Sequence, residues 1–263
     1  MNLLCDRENY TADISYLNNV FITEYDISKA NISILRSMNV IDQGTYNWLY
    51  RAERMKRQIY VGNLAKNKEI AHKLTEGFRA ARHLLFQANN ILDREVLSIK
   101  KDAIFVINRK LQNTEFGLIH FVPKNTYTGF YKLNNMEIYY YYNKITEEEV
   151  IEVKGINNDR LKLHEGYFLQ LLKDIFYTLQ VNGPEVALRM LKDYYISFIT
   201  RQLPMEHYRR FGGDNSYHTT NAFDIVLDTT NTAFKDIVDI NYNAVVLMEL
   251  QKIIVDIYFT KHR

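Results

Sequence analysis

Apolar and polar positions along the chain alternate between two periods, and the changes mark its elements. The run NVFITEYD is apolar-rich up to Tyr25 and predicts a strand over 19–25 that ends at Asp26. From about Ser28 the spacing becomes helical, with Ile32, Leu35 and Met38 three residues apart. Residues 46–92 keep steps of three and four, and so predict helices. Trp48, Leu49, Met55, Ile59 and Tyr60 form one group, and Ile70, Leu74, Phe78, Ala81 and Leu85 the next. Between 96 and 156 the period shortens again. LSIKKDAIFVI, GLIHFVP, GFYKL, EIYYYYN and EEVIEVKGI are β-rich runs separated by turn residues such as Lys-Asn, Asn-Asn and Thr-Glu, which predicts several antiparallel strands. The aromatic run from Glu137 to Tyr142 reads as a sheet strand with alternating faces rather than a base-stacking surface.

From Tyr167 onward the helical period returns in FLQLLKDIFYTL. It resumes after the Gly183-Pro184 break in PEVALRMLKDYYISFITRQL. RRFGGDNSYHTTN reads as a loop leading to a final helix, VVLMELQKIIVDIYFTK. Strand, helices, strands and an all-helical C-terminal third make an α+β chain with no internal repeat.

A chain of 263 residues can bury a large core, and 47% hydrophobic with 24% charged residues is the balance of a globular protein. Ten Gly and three Pro force few breaks, so long regular elements are expected. Cys5 is the single cysteine, which excludes an internal disulfide framework and fits a reducing compartment. No cleavable leader pattern and no apolar run of membrane-spanning length occur. A cytoplasmic protein without membrane contact is therefore expected.

The 20 Tyr, together with abundant Asn, Ile and Lys, read first as the bias of an AT-rich genome. The net charge of +2 hides an asymmetry: Arg51 to Arg82 carries nine Lys or Arg against three Glu. Such a stretch would neutralise nucleic-acid phosphates or form a solvated helix face. Several chemistries lack their patterns. No H-x-x-x-H or C-x-x-C argues against zinc, and no G-x-x-x-x-G-K-[ST] or G-x-G-x-x-G against a P-loop or dinucleotide fold. No G-x-S-x-G elbow is present. Gly212-Gly213-Asp214-Asn215 lacks the preceding apolar strand that would set Asp214 in a hairpin, and reads as loop.

Two acidic residues, Asp26 and Asp102, each sit where an apolar run meets a turn. The first segment, EYDISKANISIL, resembles motif A of family B DNA polymerases, with Asp26 at the metal-binding Asp. Ser33 falls on the final Ser, and Asn31 stands where the motif has the Tyr beneath the incoming sugar. SIKKDAIFV is similar to motif C, with Asp102 at the second, metal-binding Asp and Lys100 replacing the first. EVIEVKGINNDR resembles the K-G segment that follows motif C, at Lys154, Gly155 and Arg160.

Motif B is poorly matched. RAERMKRQIYVGNL offers Arg54 with Lys56 and Arg57 close by, without the motif's Asn, Ser and Tyr. The resemblance spans roughly 20–200, and the family's N-terminal and exonuclease domains have no counterpart in this stretch. It implies a palm over 1–156 with a short fingers-like helical insert at about 46–92. A helical thumb-like region would follow over 157–263.

It also implies three roles for the named residues. Asp26 and Asp102 would hold Mg²⁺, with Mn²⁺ as substitute, for two-metal nucleotidyl transfer. Arg54 and Asn31 would meet the nucleotide, and Lys56, Arg57, Lys154 and Arg160 the nucleic acid. DNA is favoured over RNA, and a partner chain would supply missing parts. The competing reading is a polymerase-derived palm that has lost catalysis and serves as a nucleic-acid-binding or assembly subunit, as in a viral complex in the host cytoplasm. Lys100 beside Asp102 and the degraded motif B point that way; both retained aspartates point to the enzyme.

Overall fold

A computed structural model describes residues 4–133, 136–143, 145–154, 167–200, 202–203, 216–218, 224–226 and 255. The fold is α+β, and the chain divides into two compact units. Residues 1–14 and 20–126 form the first, residues 15–19 and 127–263 the second.

The first unit is built on antiparallel strands in the order β1-β3-β4-β2, with β6 beyond β2. These are β1 (Asn9–Thr11), β2 (Tyr16–Ile27), β3 (Val96–Lys100), β4 (Ala103–Ile107) and β6 (Ile119–Leu133); the short β5 (Glu115–Phe116) pairs with β6. β3 and β4 form a hairpin in which Lys100 pairs with Ala103, so Lys101 and Asp102 are its turn. Lys101 takes the left-handed backbone that such a tight turn requires (φ 51°). Ile22 to Tyr25 are buried without alternation, because both faces of β2 are covered.

Four helices lie between β2 and β3 in sequence: α1 (Ala30–Ser37), α2 (Gln43–Arg51), α3 (Arg54–Leu64) and α4 (Lys68–Asn89), with 3-10 turns at Leu4–Asp6 and Asp93–Glu95. Their starts follow capping chemistry. Asp42 Oδ1 accepts from the Thr45 amide at 2.7 Å, and Asn67 Oδ1 from the Glu69 amide at 2.9 Å. The core of this unit joins Ile32, Ile34 and Leu35 of α1 to Phe78, Ala81 and Leu85 of α4, and both to Ile99, Ile104 and Val106 of the hairpin.

α1 and α4 meet at Gly77, where a Cβ would lie 2.3 Å from Ile34 Cγ2 and 3.2 Å from Met38 Cγ. Ile34 is β-branched and 1% exposed, so it cannot swing aside cheaply. Gly77→Ala should gain about 1 kcal/mol of helix propensity and lose about 1–3 kcal/mol to overpacking. A lower melting temperature is therefore expected, partly restored by Ile34→Leu, which removes the clashing methyl. Calorimetry showing Gly77→Ala as stable as the parent would contradict this packing.

Leu4–Asp6 is latched to α4. Asp6 Oδ1 receives Arg79 Nε at 2.7 Å and lies 2.6 Å from His83 Nε2, and these hydrogen bonds hold its carboxyl below the ordinary carboxylate range. Cys5 Sγ approaches His83 Nδ1 at 3.5 Å. Three ligand-type side chains thus gather although no sequence spacing announces them, since 77 residues separate Asp6 from His83. Asp6 is already neutralised by Arg79, and burial pushes the Cys5 thiol up, so ion pairing accounts for the cluster.

In the second unit β6, β7 (Met136–Asn143) and β8 (Glu148–Lys154) form an antiparallel meander. It packs with α5 (Tyr167–Val181) and α6 (Pro184–Ile199) around Tyr140, Leu172, Ile175, Phe176 and Leu191. Gly183 (φ 88°) and Pro184 separate the two helices, as the sequence predicts.

Three expectations are corrected. GLIHFVP and GFYKL are one strand, not two: Lys124 and Asn125 do not turn, because both reach the buried Glu24 carboxylate, at 3.6 and 3.4 Å. β7 does not alternate between a buried and an exposed face. Tyr139 packs on Tyr127 and Phe130 while Tyr140 stacks on Phe176, so both sides are covered. The C-terminal third is not all helical, for β9 (Ser216–His218) and β10 (Asp224–Val226) pair antiparallel, β9 within the segment read as loop. The Asn134-Asn135 turn, Asp214 and, apart from the helical Val255, the final helix lie outside the described residues.

Candidate active site

β2 and β4 are adjacent and antiparallel, with Asp26 opposite Ala103, one residue from Asp102. The Ile27 amide donates to the Asp102 carbonyl at 3.2 Å, closing the strand end against the hairpin turn. Asp26 therefore occupies the end of its strand, as read from the sequence. Asp102 does not: it belongs to the two-residue turn, since Lys100 and Ala103 are the last paired positions.

Both aspartates line one cavity of about 280 Å³, at the small end of ligand sites. Its other walls are Lys29, Ala30, Asn31 and Ile32 at the start of α1, and Arg54, Arg57, Gln58 and Val61 of α3. The spacing on α3 is i, i+3, i+4, i+7, one face of a helix laid along the cavity. Of the residues singled out above, the cavity gathers Asp26, Asp102, Asn31, Arg54 and Arg57. Lys56 points elsewhere on α3 and is exposed. Lys154 ends β8 in the second unit, where its ammonium lies 3.1 Å from Glu152. Arg160 lies outside the described residues.

Lys29 and Gln58 escaped the sequence reading. Gln58 could have been found, one turn after Arg54. Lys29 could not, since its role depends on a left-handed backbone (φ 49°) and on α2. Its Nζ donates to the Tyr50 carbonyl at 2.7 Å and lies 3.2 Å from the Tyr50 ring centroid.

The basic run is less uniform than its charge count implies. Arg82 is 1% exposed, Arg79 pairs with Asp6 and Lys73 with Glu69, so three of the nine basic side chains are engaged with other groups of the protein. Arg54 remains exposed at the cavity and Lys56 exposed away from it, with Arg57 half-buried and donating to the Ala52 carbonyl at 2.6 Å. Arg82 bears on the site itself. Its Nη1 donates to the Lys101 carbonyl and its Nε to that of Cys5, both at 2.9 Å, tying α4 to the turn that carries Asp102.

The description "Bacteriophage PBS1 gene 130 protein" names the family that matches residues 1–256. The chain belongs to this bacteriophage protein family. No curated protein matches it. The match reaches into both units. No helix among the described residues is long and apolar enough to cross a membrane.

Proposed function

We propose that the chain is a metal-dependent nucleotidyltransferase on a family B polymerase-like palm, acting on nucleic acid in the cytoplasm of the phage's host. The observation that carries this reading is the convergence of Asp26, near the end of its strand, and Asp102, in the adjacent hairpin turn, on a cavity lined by Lys29, Arg54 and Arg57. Two carboxylates offer the hard oxygen donors that Mg²⁺ or Mn²⁺ prefers, and the donor set fits such ions. Bound divalent cations would supply Lewis-acid activation of a 3′-hydroxyl and charge stabilisation at the leaving pyrophosphate.

The chain's own residues divide the remaining work. Lys29, Arg54 and Arg57 offset the charge of a triphosphate, and Arg57 is held in place by its bond to the Ala52 carbonyl. Asn31, in the first turn of α1, stands where the polymerase motif has an aromatic residue against the sugar. The helix-start amides around it face phosphate oxygens favourably. DNA is favoured over RNA as template, and a partner chain would complete the short fingers. Primer extension with Mg²⁺ and Mn²⁺ tests the reading. Template-directed addition is expected, and its absence with both ions, in a folded protein, would reject it.

Lys100 favours a second reading, a palm retained for binding alone. A cation replaces the first motif C acid, and its Nζ donates to Thr11 Oγ1 at 3.2 Å. Binding is separable from catalysis. Replacing Arg54, Lys56 and Arg57 together by Ala should weaken oligonucleotide binding and flatten its log–log salt dependence by up to about three units, roughly one per lost phosphate contact. An unchanged slope would assign these side chains to solvent.

A further inference from the structure

α3 has a second side, and it is unusually apolar for a surface. Met55 is 66% and Ile59 60% exposed, one turn apart, while Arg54, Gln58 and Val61 turn to the cavity. Beside them on α2, Trp48 is 55% exposed, its ring set edge-on to Tyr60 of α3 with centroids 5.9 Å apart. Leu49 is buried, and Tyr50 emerges past it, nearly half exposed, over the Lys29 ammonium that lines the cavity. Leu49 is the buried residue of α2, whereas Trp48, Met55 and Ile59 stay more than half exposed. Arg51 and Lys56 are exposed close to these side chains in sequence, while Arg54 and Arg57 line the cavity.

We infer that this face of α2 and α3 is a platform for single-stranded nucleic acid, with a base stacked on Trp48 and phosphates held by Arg51 and Lys56. The inference rests on the proposed nucleotidyl-transfer site, for which it supplies the path of the unpaired strand. Charge complementarity selects this occupant. Rings interleaved with unneutralised cations suit alternating bases and phosphates, whereas a protein partner covering Met55 and Ile59 would have to bury or pair those cations. Tyr50 then links platform to cavity, since its ring rests on Lys29 on the inner side.

Trp48 is the single tryptophan of the chain, so its emission reports on this face alone. Titrating the full-length protein with a dodecamer of thymidylate, and separately of uridylate, should quench that emission, and added salt should reverse it. The difference between the two arms shows which sugar is preferred. Trp48→Ala should weaken binding of a fluorescein-labelled oligonucleotide, read by anisotropy, by roughly 5- to 150-fold, the worth of one stacked base, while Trp48→Phe stays near the parent. Trp48 is largely exposed, and matching melting temperatures would show that both variants fold.

Unchanged emission while the labelled oligonucleotide binds, or equal affinity of Trp48→Ala, would overturn the platform. So would emission that shifts only with protein concentration, alongside self-association in sedimentation, which would give the face to a second copy. Quenching without primer extension would leave the platform standing and reject the catalytic reading. Extension without quenching would do the reverse.

Discussion

Asp102→Asn is expected to remove metal-dependent nucleotide addition while leaving oligonucleotide affinity nearly unchanged. Asp102 sits in a hairpin turn whose backbone is fixed from outside its own side chain. Its carbonyl accepts from Ile27, and the Lys101 carbonyl accepts from Arg82. The isosteric amide therefore leaves the turn in place and removes only a charge. Loss of outer partners of a metal ligand costs about 10–100-fold, so loss of a ligand's charge should exceed about 100-fold in rate. The phosphate contacts proposed for α3 do not involve Asp102, which is why binding should survive. The measurement is single-turnover primer extension beside anisotropy. Extension by Asp102→Asn at the parent rate would remove Asp102 from the reaction, and a matching loss of binding would show damage to the fold instead.

The sequence carried the local part of this architecture well. Strand ends and helix starts obey neighbours within four residues, so Asp26 and the Gly183-Pro184 break were readable from composition and period alone. What escaped depends on partners far along the chain. Lys124 and Asn125 look like a turn until the buried Glu24, about a hundred residues earlier, claims them both. EIYYYY is legible as a strand with alternating faces, but nothing in it reveals that Phe176 covers one of them. The basic run looked uniform because charge counts cannot tell the buried Arg82 from the exposed Lys56.

The site shows the same division. Asp26, Asn31 and Asp102 stood out through motif spacing, Arg54 and Arg57 through the basic segment, and Gln58 follows from Arg54 by helical period. Lys29 depends on a left-handed residue and on a ring in another helix. The Cys5, Asp6 and His83 cluster was invisible for the opposite reason: its members come from two elements whose meeting no short motif encodes.

Arg82→Met should show how far the site depends on that buried guanidinium. Arg82 holds two carbonyls that sit in different parts of the first unit, Cys5 in the N-terminal turn and Lys101 in the hairpin turn. Methionine fills similar space without a donor, so both carbonyls lose their partner, Cys5 in a buried setting and Lys101 in a part-buried one. Each hydrogen bond from a charged donor is worth about 1.5–3 kcal/mol. Part of the loss is offset, because Arg82 Nη2 is buried with no acceptor among the described residues and its removal relieves a desolvation cost. A net loss of roughly 2–4 kcal/mol follows, a fall in melting temperature of roughly 4–16 °C for a chain of this size. Arg82 touches no substrate in this scheme; it is a positioning residue for Asp102. The rate of nucleotide addition should therefore fall with little change in oligonucleotide affinity, measured well below the new melting temperature. Arg82→Lys should restore little, since one ammonium on a flexible stem cannot span both carbonyls as the planar fork does. A variant with parental stability and rate would show that the hairpin turn holds Asp102 by itself.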